Sequence, residues 1–527
     1  MPARAKSWTC RSRRLAARSQ RSANIAPARR HVPRPPGRAS ISKFIKRGAV
    51  LIVVVVVTLL AGRAWQSQQG APLEPWHTYL PAEFKASEIA ASDWQGYLAR
   101  EKTLFDDVRQ HVTQTLPENE RVPSNRYFSG SPIYPGRFAT DWNRSYVLEP
   151  AGTPRGAVVL LHGLTDSPYS LRHVARRYQE DGFVAVAVRL PGHGTVPAGL
   201  VDVEWEAWSE ATRLAVREAR RRAGAGTPLH IVGFSNGGAL AMKYALDALD
   251  DKSLARPDRI VLFSPMIGVT SLARFAGFFG LPAMLPRFAK AAWLGIVPEF
   301  NPFKYNSFPV NGARQSSLLS RALQRQIADA SRAGALGGLA PVLTFQSVVD
   351  FTVSTRAIVD SLYGQVPANG SELVLFDLNR TASFGPLLPQ TADTLLNRQV
   401  PPPPRNYTLT IITNRSEDSP QVVARTTPAG KSEEQTVPLE LAYPPEVFSL
   451  SHLALPFPMD DSLYGMYPDG REDYGVHLGA MAARGERGLL VVSMDSLLRM
   501  SANPFFSYVV DRIDQLAGRS AAASATK

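Results

Sequence analysis

The sequence predicts an α/β fold, and two features of the chain lead to this prediction. The first is a set of short apolar runs of strand length, namely Gly156–Leu161, Arg259–Ser264 and Pro341–Val348. The second is a strand-like run, Leu229–Val232, which is followed by a glycine-rich turn and then by the helix-forming run Ala239–Leu249. Apolar runs of this length are typical of buried strands, and their alternation with helices is typical of a sheet covered by helices.

The N-terminal tail carries the net charge of the chain. The protein has a formal charge of +14, but residues 1–47 contain fourteen Lys and Arg and no acidic residue, and the remainder is neutral. We expect residues 1–44 to be disordered, because so polar a segment has too little apolar surface to fold. A neutral body gives no indication of nucleic-acid binding.

An apolar run follows the tail. Fifteen uncharged residues, Gly48–Gly62, lie between Arg47 and Arg63, whereas a full membrane span needs roughly 17–25 residues. The flanking residues extend such a run, although its length also suits the apolar core of a signal peptide. We interpret residues 45–65 as one transmembrane signal-anchor helix. The positive charges before it predict a cytoplasmic N-terminus and a catalytic body in the periplasm or outside the cell.

Residues 66–144 are interpreted as a helical spacer. A helix is predicted over Ser92–Thr115, with an apolar face that we expect to pack on the following domain. The predicted members of that face are Trp94, Leu98, Phe105 and Val108. The only cysteine is Cys10 in the tail, so thiol catalysis, disulfides and cysteine-based metal sites are excluded from the body of the protein.

The turn after Leu229–Val232 carries a G-x-S-x-G motif, Gly233-Phe-Ser-Asn-Gly237. A serine in so sharp a strand-to-helix turn has its hydroxyl lifted clear of the sheet edge. Ser235 is therefore a candidate nucleophile. The alternative is a tight turn whose serine only caps the helix.

Together with two further motifs, this segment resembles the α/β-hydrolase superfamily. The motifs are Leu161-His-Gly-Leu164, Arg189-Leu-Pro-Gly-His-Gly194 and Gly233-Phe-Ser-Asn-Gly237. Within the superfamily, the chain is most similar to the carboxylesterase, monoacylglycerol lipase and lysophospholipase group, which includes serine aminopeptidase-like proteins. The resemblance implies an α/β-hydrolase domain over residues 145–527 with a mostly parallel sheet, and it implies no cofactor.

The resemblance also implies an oxyanion hole. Its donors would be the backbone N–H groups of Leu164 and Asn236, and the second of these begins a helix, where amides are unpaired. His162 and His193 stand in the matching motifs, and we expect them to make structural hydrogen bonds in their loops.

In this superfamily the triad residues follow the chain order serine, acid, histidine. Only two histidines come after Ser235, namely His452 and His477. We favour His452 as the base, because it begins a loop that resembles the terminal histidine loop of the family. His477, in a glycine-rich loop, remains the alternative.

The acid is expected just after the next-to-last core strand, which is Pro341–Val348. Asp350 stands there, followed by Thr352, as the family pattern implies. Asp360, on a predicted helix, is the competitor, and Glu372 and Asp377 beside the next strand are weaker candidates.

Two insertions interrupt the resemblance. Residues 266–340 are apolar and broken by Gly and Pro, and we expect a helical cap over the nucleophile or a packed subdomain there. Residues 379–447 form a second insertion, predicted to be β-rich. Its runs Tyr407–Ile412 and Gln421–Thr426, joined by a polar turn, indicate a hairpin.

These observations predict a membrane-anchored serine hydrolase that cleaves carboxylic esters through an acyl-enzyme, with Ser235, His452 and Asp350 as its triad. A small-molecule or lipid ester is the expected substrate, and no metal is expected. A thioesterase or a serine aminopeptidase-like peptidase is an alternative. A catalytically weak binding or scaffold module is a second alternative, because this fold also carries non-enzymes.

Overall fold

The computed structural model describes residues 38–268, 278, 280–350, 352–379, 399–416, 419–444, 447, 449–479 and 501–518. The chain divides into two compact units, Met1–Leu59 and Leu60–Lys527. Most of the predicted tail, with Cys10, lies outside the described residues, as do parts of both predicted insertions. In the described part, Lys46–Gln68 is the one helix long and apolar enough to cross a membrane.

The secondary structure alternates between strands and helices, as predicted. The α-helices are α1 Arg38–Gln68, α2 Pro75–Thr78, α3 Ala86–Ala90, α4 Trp94–Val108, α5 Arg172–Glu180, α6 Trp205–Ala223, α7 Asn236–Asp250, α8 Val310–Arg332, α9 Thr355–Ile358 and α10 Phe506–Leu516. The strands are β1 Tyr146–Leu148, β2 Gly156–Leu161, β3 Phe183–Val188, β4 Leu229–Phe234, β5 Arg259–Phe263, β6 Trp293–Gly295, β7 Phe308–Pro309, β8 Val342–Ser347, β9 Glu372–Asp377, β10 Thr408–Asn414, β11 Gln421–Thr427 and β12 Gln435–Ala442.

Ten of these strands form one sheet in the order β1-β3-β2-β4-β5-β8-β9-β10-β11-β12. Every pair from β3 to β10 is parallel, and the pairs at the two edges are antiparallel. Both faces are buried, so the central strands are mostly apolar rather than alternating between apolar and polar residues. In β2, for example, Val159 belongs to the core on one face and Val158 to the core on the other.

The parallel arrangement determines where a functional site forms. The carboxyl ends of β2, β4 and β8 meet at one edge of the sheet, and each continues into a loop that the sequence singled out. These loops begin at His162, Ser235 and Val348. Ligands of open parallel sheets bind at this edge.

The predicted spacer helix is observed as α4. Asp93 caps its N-terminus by accepting a hydrogen bond from the Gly96 amide (2.8 Å). Its buried residues are Trp94, Tyr97, Glu101, Leu104 and Val108. Leu98 and Phe105, which the sequence placed on this face, are only half-buried. The buried positions follow a spacing of three and four residues, and Leu98 and Phe105 lie one position further around the helix.

A buried ion network ties the spacer to the sheet. The guanidinium of Arg189, which directly follows β3, contacts the carboxylates of Glu83 (3.0 Å) and Glu101 (3.3 Å). Glu101 also accepts a hydrogen bond from the Ser145 hydroxyl (2.7 Å). Removing one partner of such a buried pair costs about 3–5 kcal/mol. Residues 67–144 therefore pack as part of the unit that holds the sheet.

The second insertion extends the sheet itself. The predicted hairpin is confirmed as β10 and β11, which pair in antiparallel fashion. β10 lies parallel to β9 and covers its edge, so the backbone groups of β9 are hydrogen-bonded on both sides. In the first insertion, the described residues form three short 3₁₀ segments, the β6–β7 pair and the long helix α8.

Candidate active site

Ser235 lies at the junction of β4 and α7 in a strained backbone conformation. Its φ of 54° and ψ of −112° are rare for a residue with a side chain, and such strain costs about 1–3 kcal/mol. The flanking glycines make the turn possible. A Cβ on Gly233 would lie 2.4 Å from the Gly237 carbonyl oxygen, and one on Gly237 would lie 1.9 Å from that of Leu161. The sharp turn predicted from the motif is thus present.

His452 and Asp350 are brought together although they lie 102 positions apart in the chain. The distance from His452 Nδ1 to Asp350 Oδ2 is 2.8 Å. The Asp350 side chain is fully buried, and that of His452 is mostly buried. The backbone amides of Thr352 (2.7 Å) and Val353 (3.0 Å) donate to Asp350 Oδ1.

The electrostatics keep Asp350 ionised. Burial alone would raise its pKa, but the charge and hydrogen bond of His452 and the amides of Val353 and Thr352 outweigh burial and lower the pKa below its ordinary value. Gln346 Nε2 also donates to Oδ2 (3.1 Å). An ionised carboxylate only accepts hydrogen bonds, so it holds the proton of a neutral His452 on Nδ1 and leaves Nε2 as an acceptor.

The imidazole lies beside the serine turn. The ring of His452 is 5.3 Å, centroid to centroid, from the ring of Phe234, the residue before Ser235. The serine itself is only 5% exposed. Of the three predicted triad residues, Ser235 follows β4 and Asp350 follows β8, with β5 between these two strands, and His452 lies in a loop.

Two unpaired amides lie next to Ser235. The loop after β2 approaches so closely that a Cβ on Gly163 would lie 3.3 Å from the Ser235 Cβ. Within the described residues, the backbone N–H groups of Leu164 and Asn236 have no protein acceptor. The second of these amides is at the N-terminus of α7, where the helix dipole favours negative charge.

His162 and His193 make loop hydrogen bonds, as predicted. His162 Nε2 accepts from the Leu190 amide (3.0 Å), and His193 Nδ1 lies 3.1 Å from the Pro191 carbonyl oxygen. Burial lowers the pKa of His162 well below its ordinary value and lowers that of His193 to about 3. Both imidazoles are therefore neutral structural groups.

Of the alternative residues, His477, Asp360 and Glu372 make their contacts elsewhere. His477 is exposed, and its Nδ1 contacts the Ser462 carbonyl oxygen (3.0 Å). Asp360 is an exposed helix residue paired with Arg356 (3.1 Å). Glu372 accepts from the Thr410 hydroxyl (3.0 Å) and also pairs with Arg512. Asp377 ends β9.

The first insertion contacts the site directly. Ser316 of α8 donates to the Asn236 side-chain oxygen (2.9 Å), and the Tyr305 amide donates to the Thr165 carbonyl oxygen (2.7 Å). Lys304 lies beside Tyr305 in the chain. Burial lowers the pKa of Lys304, and the negative charge of Asp166 partly offsets this lowering. These contacts place the insertion next to the turn that carries Ser235.

Sequence reasoning missed two polar residues of this cluster. Gln346 lies four residues before Asp350, and it could have been found as a buried amide side chain in the strand that leads to the acid. Ser316 gave no signal, because one serine on a polar helix looks like any solvated residue.

Comparison with known families agrees with this geometry. Residues 152–377, less than half of the chain, match the model of the hydrolase family described as serine aminopeptidase, S33. The resemblance to the α/β hydrolases is therefore confirmed for this region, and the fold is that of an α/β hydrolase. No match was found among curated proteins.

Solved structures similar to the chain include lipolytic enzymes. One belongs to a study of LipS and LipT, two metagenome-derived lipolytic enzymes, with 21% identity over 44% of this chain and 86% of that chain and a TM-score of 0.35. A soluble variant of monoglyceride lipase from Saccharomyces cerevisiae matches with 16% identity and a TM-score of 0.35, and the match covers 44% of this chain and 81% of that chain. A monoacylglycerol lipase from Paleococcus ferrophilus matches with 19% identity and a TM-score of 0.33, and the match covers 44% of this chain and 88% of that chain.

Proposed function

We propose that this α/β hydrolase is a membrane-anchored serine hydrolase that cleaves carboxylic esters through an acyl-enzyme. The observation that carries the proposal is the buried hydrogen bond between His452 and Asp350, beside a serine held in a strained turn. A nucleophile near a base, with the base oriented by a carboxylate, is the arrangement that nucleophilic catalysis requires.

The proposed reaction has two halves. Ser235 Oγ attacks the ester carbonyl carbon while His452 Nε2 takes the hydroxyl proton, and Asp350 stabilises the imidazolium that forms. The amides of Leu164 and Asn236 donate to the oxyanion of the tetrahedral intermediate. His452 then gives its proton to the departing alkoxide, which leaves the acyl group on Ser235. Water, deprotonated by His452, attacks this acyl-enzyme and releases the acid and free serine.

The substrate class is proposed from the surroundings of Ser235. The serine is nearly inaccessible to water, and the insertion packed beside it is largely apolar, which favours an ester with an apolar acyl part. The name of the matching family supports a second candidate, a peptidase. Comparing p-nitrophenyl esters with amino-acid p-nitroanilides distinguishes the two, and we expect much faster turnover of the esters.

A fluorophosphonate probe tests the nucleophile. The wild-type full chain in detergent should be labelled, and Ser235→Ala should lose both labelling and esterase activity, leaving only the part of catalysis that oxyanion donors and binding supply. Ser316→Ala serves as the matched control, since it should still be labelled. Undiminished labelling of Ser235→Ala would contradict the assignment.

The anchor is proposed from the apolar helix and the charge before it. Fourteen basic residues precede the apolar run, and only Arg63 follows within the next twenty residues. We therefore expect the chain to stay in membranes after carbonate washing, and an alkaline phosphatase fusion after residue 70 to be active in bacterial cells. A mature form beginning near residue 65 and free in the periplasm would instead identify a cleaved signal peptide.

A further inference from the structure

Exposed apolar side chains concentrate in one segment of the first insertion. This set, here called the apolar rim, consists of Phe278, Leu281, Met284, Leu285 and Leu294. Met284 is 80% exposed and Leu285 60%. In the other described residues after Leu60, the exposed large apolar side chains are scattered singly along the chain. Single exposed apolar residues are ordinary on protein surfaces, whereas a concentration of them marks an interaction site.

The same segment is fastened to the end of α1. The guanidinium of Arg63 donates to the Trp293 carbonyl oxygen. Gln68 Nε2 donates to the Arg287 carbonyl oxygen at 3.3 Å. Lys290 Nζ donates to the Gly70 carbonyl oxygen at 2.9 Å. Three hydrogen bonds, spaced along both partners, thus hold the segment beside residues 63–70.

Residues 63–70 follow the apolar run directly, which determines their depth if α1 crosses a membrane. With a helical rise of about 1.5 Å per residue, Gln68 lies about 9 Å beyond Gly62. The headgroup layer on each side of the hydrocarbon core is about 5–8 Å thick. The end of α1, and the segment bonded to it, therefore lie within or just above the headgroups.

The side chains around this point have the chemistry of a membrane interface. Trp65 is exposed on α1, and Arg63, Arg287 and Lys290 add positive charge beside the apolar rim. Aromatic rings and Lys or Arg beside exposed aliphatic groups are characteristic of surfaces that sit at the headgroup level. The positive charge matches the phosphates of the headgroups.

We propose that the apolar rim rests in the outer surface of the bilayer that α1 crosses, so that the ester substrate reaches Ser235 from the membrane. The proposal rests on the anchor proposed above. The rim belongs to the insertion that also carries Tyr305 and Ser316, both of which contact the loops around the nucleophile. A lipid leaving the bilayer at the rim would thus meet the same insertion that borders the site through Tyr305 and Ser316.

The first experiment measures depth. The only cysteine is Cys10, so Cys10→Ser gives a cysteine-free full chain for nanodiscs of phosphatidylcholine and phosphatidylglycerol. Met284→Cys in this background carries a nitrobenzoxadiazole label. Val437→Cys is the matched control, because Val437 is 54% exposed on the edge strand β12. Lipids with a nitroxide near the headgroup should quench the label at position 284 at least threefold more than that at 437.

Equal quenching at the two positions in chains that remain in the membrane after carbonate washing would overturn the rim proposal and leave the anchor intact. Release of the chain by carbonate would overturn the anchor, and the rim proposal with it. Absence of ester hydrolysis by wild-type protein would count against the proposed function alone, because quenching does not depend on catalysis.

The second experiment measures access. The double variant Met284→Ser, Leu285→Ser should hydrolyse a monoacyl ester embedded in vesicles at least fivefold more slowly than wild type. Its hydrolysis of water-soluble p-nitrophenyl acetate should be unchanged, because both side chains are exposed on the surface whereas Ser235 is buried. The proposal would be overturned if the double variant and wild type hydrolysed the vesicle substrate at equal rates. It would also be overturned if the double variant lost activity equally on the vesicle substrate and on p-nitrophenyl acetate.

Discussion

The substitution Asp350→Asn tests the proposed triad most sharply, because the structure shows how an amide would bind there. The Oδ1 position accepts two backbone amides, from Thr352 and Val353, and the Oδ2 position faces His452 and Gln346. An asparagine that keeps its carbonyl oxygen toward the two amides turns its NH₂ group toward His452 Nδ1. Nδ1 must then accept, so the imidazole proton moves to Nε2 and the base loses its acceptor.

The reversed amide is less stable. It would place the NH₂ group against two backbone donors rather than against the single donor Gln346, and each buried unsatisfied group costs about 1–3 kcal/mol. The substitution also removes a negative charge beside the imidazolium. A pair of charges about 4 Å apart interacts by about 4 kcal/mol at an effective dielectric constant of 20, which is about 10³ in rate. With the wrong tautomer added, we expect kcat to fall about 10⁴-fold.

The assay is the steady-state hydrolysis of a p-nitrophenyl ester by the full chain in detergent, with thermal melting to show that the variant is folded. Asp360→Asn is the matched control, because Asp360 is an exposed carboxylate paired only with Arg356 in the described residues. It should retain full activity. A folded Asp350→Asn enzyme with more than a tenth of wild-type kcat would refute the reasoning, as would an inactive but folded Asp360→Asn.

Two further predictions concern histidines. In a p-nitrophenyl ester assay, His452→Ala should lower kcat by about three orders of magnitude or more. His477→Ala should keep most of the activity, because His477 is exposed. The opposite result would identify His477 as the base. His77, whose Nδ1 accepts from the Glu74 amide and whose Nε2 bonds the Ser307 hydroxyl, has a pKa lowered by burial from 6.5 to about 4. Below about pH 6.5 the imidazole of His77 therefore binds a proton more readily in the unfolded chain than in the folded one. The stability that the neutral His77 contributes is complete above about pH 6.5 and is lost as the pH falls toward 4. Denaturant unfolding at pH 7 and at pH 4.5 measures how much free energy of unfolding the protein loses on acidification. This loss should be smaller by about 2–3 kcal/mol in His77→Gln than in wild type. An equal loss in the two proteins would show that His77 does not contribute to the acid destabilisation.

Local sequence patterns were sufficient for the parts of the protein whose partners are close in the chain. The serine turn was predicted because Gly233 and Gly237 flank Ser235, and the missing Cβ of Gly233 is what lets the turn close on the Gly237 carbonyl oxygen. The hairpin of the second insertion was predicted from two β-branched runs around a polar turn. In each case the determining contacts lie within a few residues, or within one strand pair.

The spacer shows where a local pattern becomes ambiguous. An apolar face was predicted for α4, but neighbouring candidates such as Tyr97 and Leu98 differ by only one position around the helix. Tyr97 is the buried one of the two, and the ring of Phe84 stacks on it with the ring centroids 4.4 Å apart. That contact, like the pairing of Glu101 with Arg189, involves a residue outside the helix and is invisible in its periodicity.

The sequence by itself determined the strand-turn-helix around Ser235, the apolar strands of the sheet and a short list of candidate acids and bases. Only the tertiary structure decided that His452, and not His477, meets Asp350. The chain between them includes β9, β10, β11 and β12, which lie beyond β8 in the same sheet, and it comes back to the end of β8 only in the loop that carries His452. Pairing across so long a separation depends on the register and order of strands, and no local pattern encodes these because each strand fits many neighbours equally well.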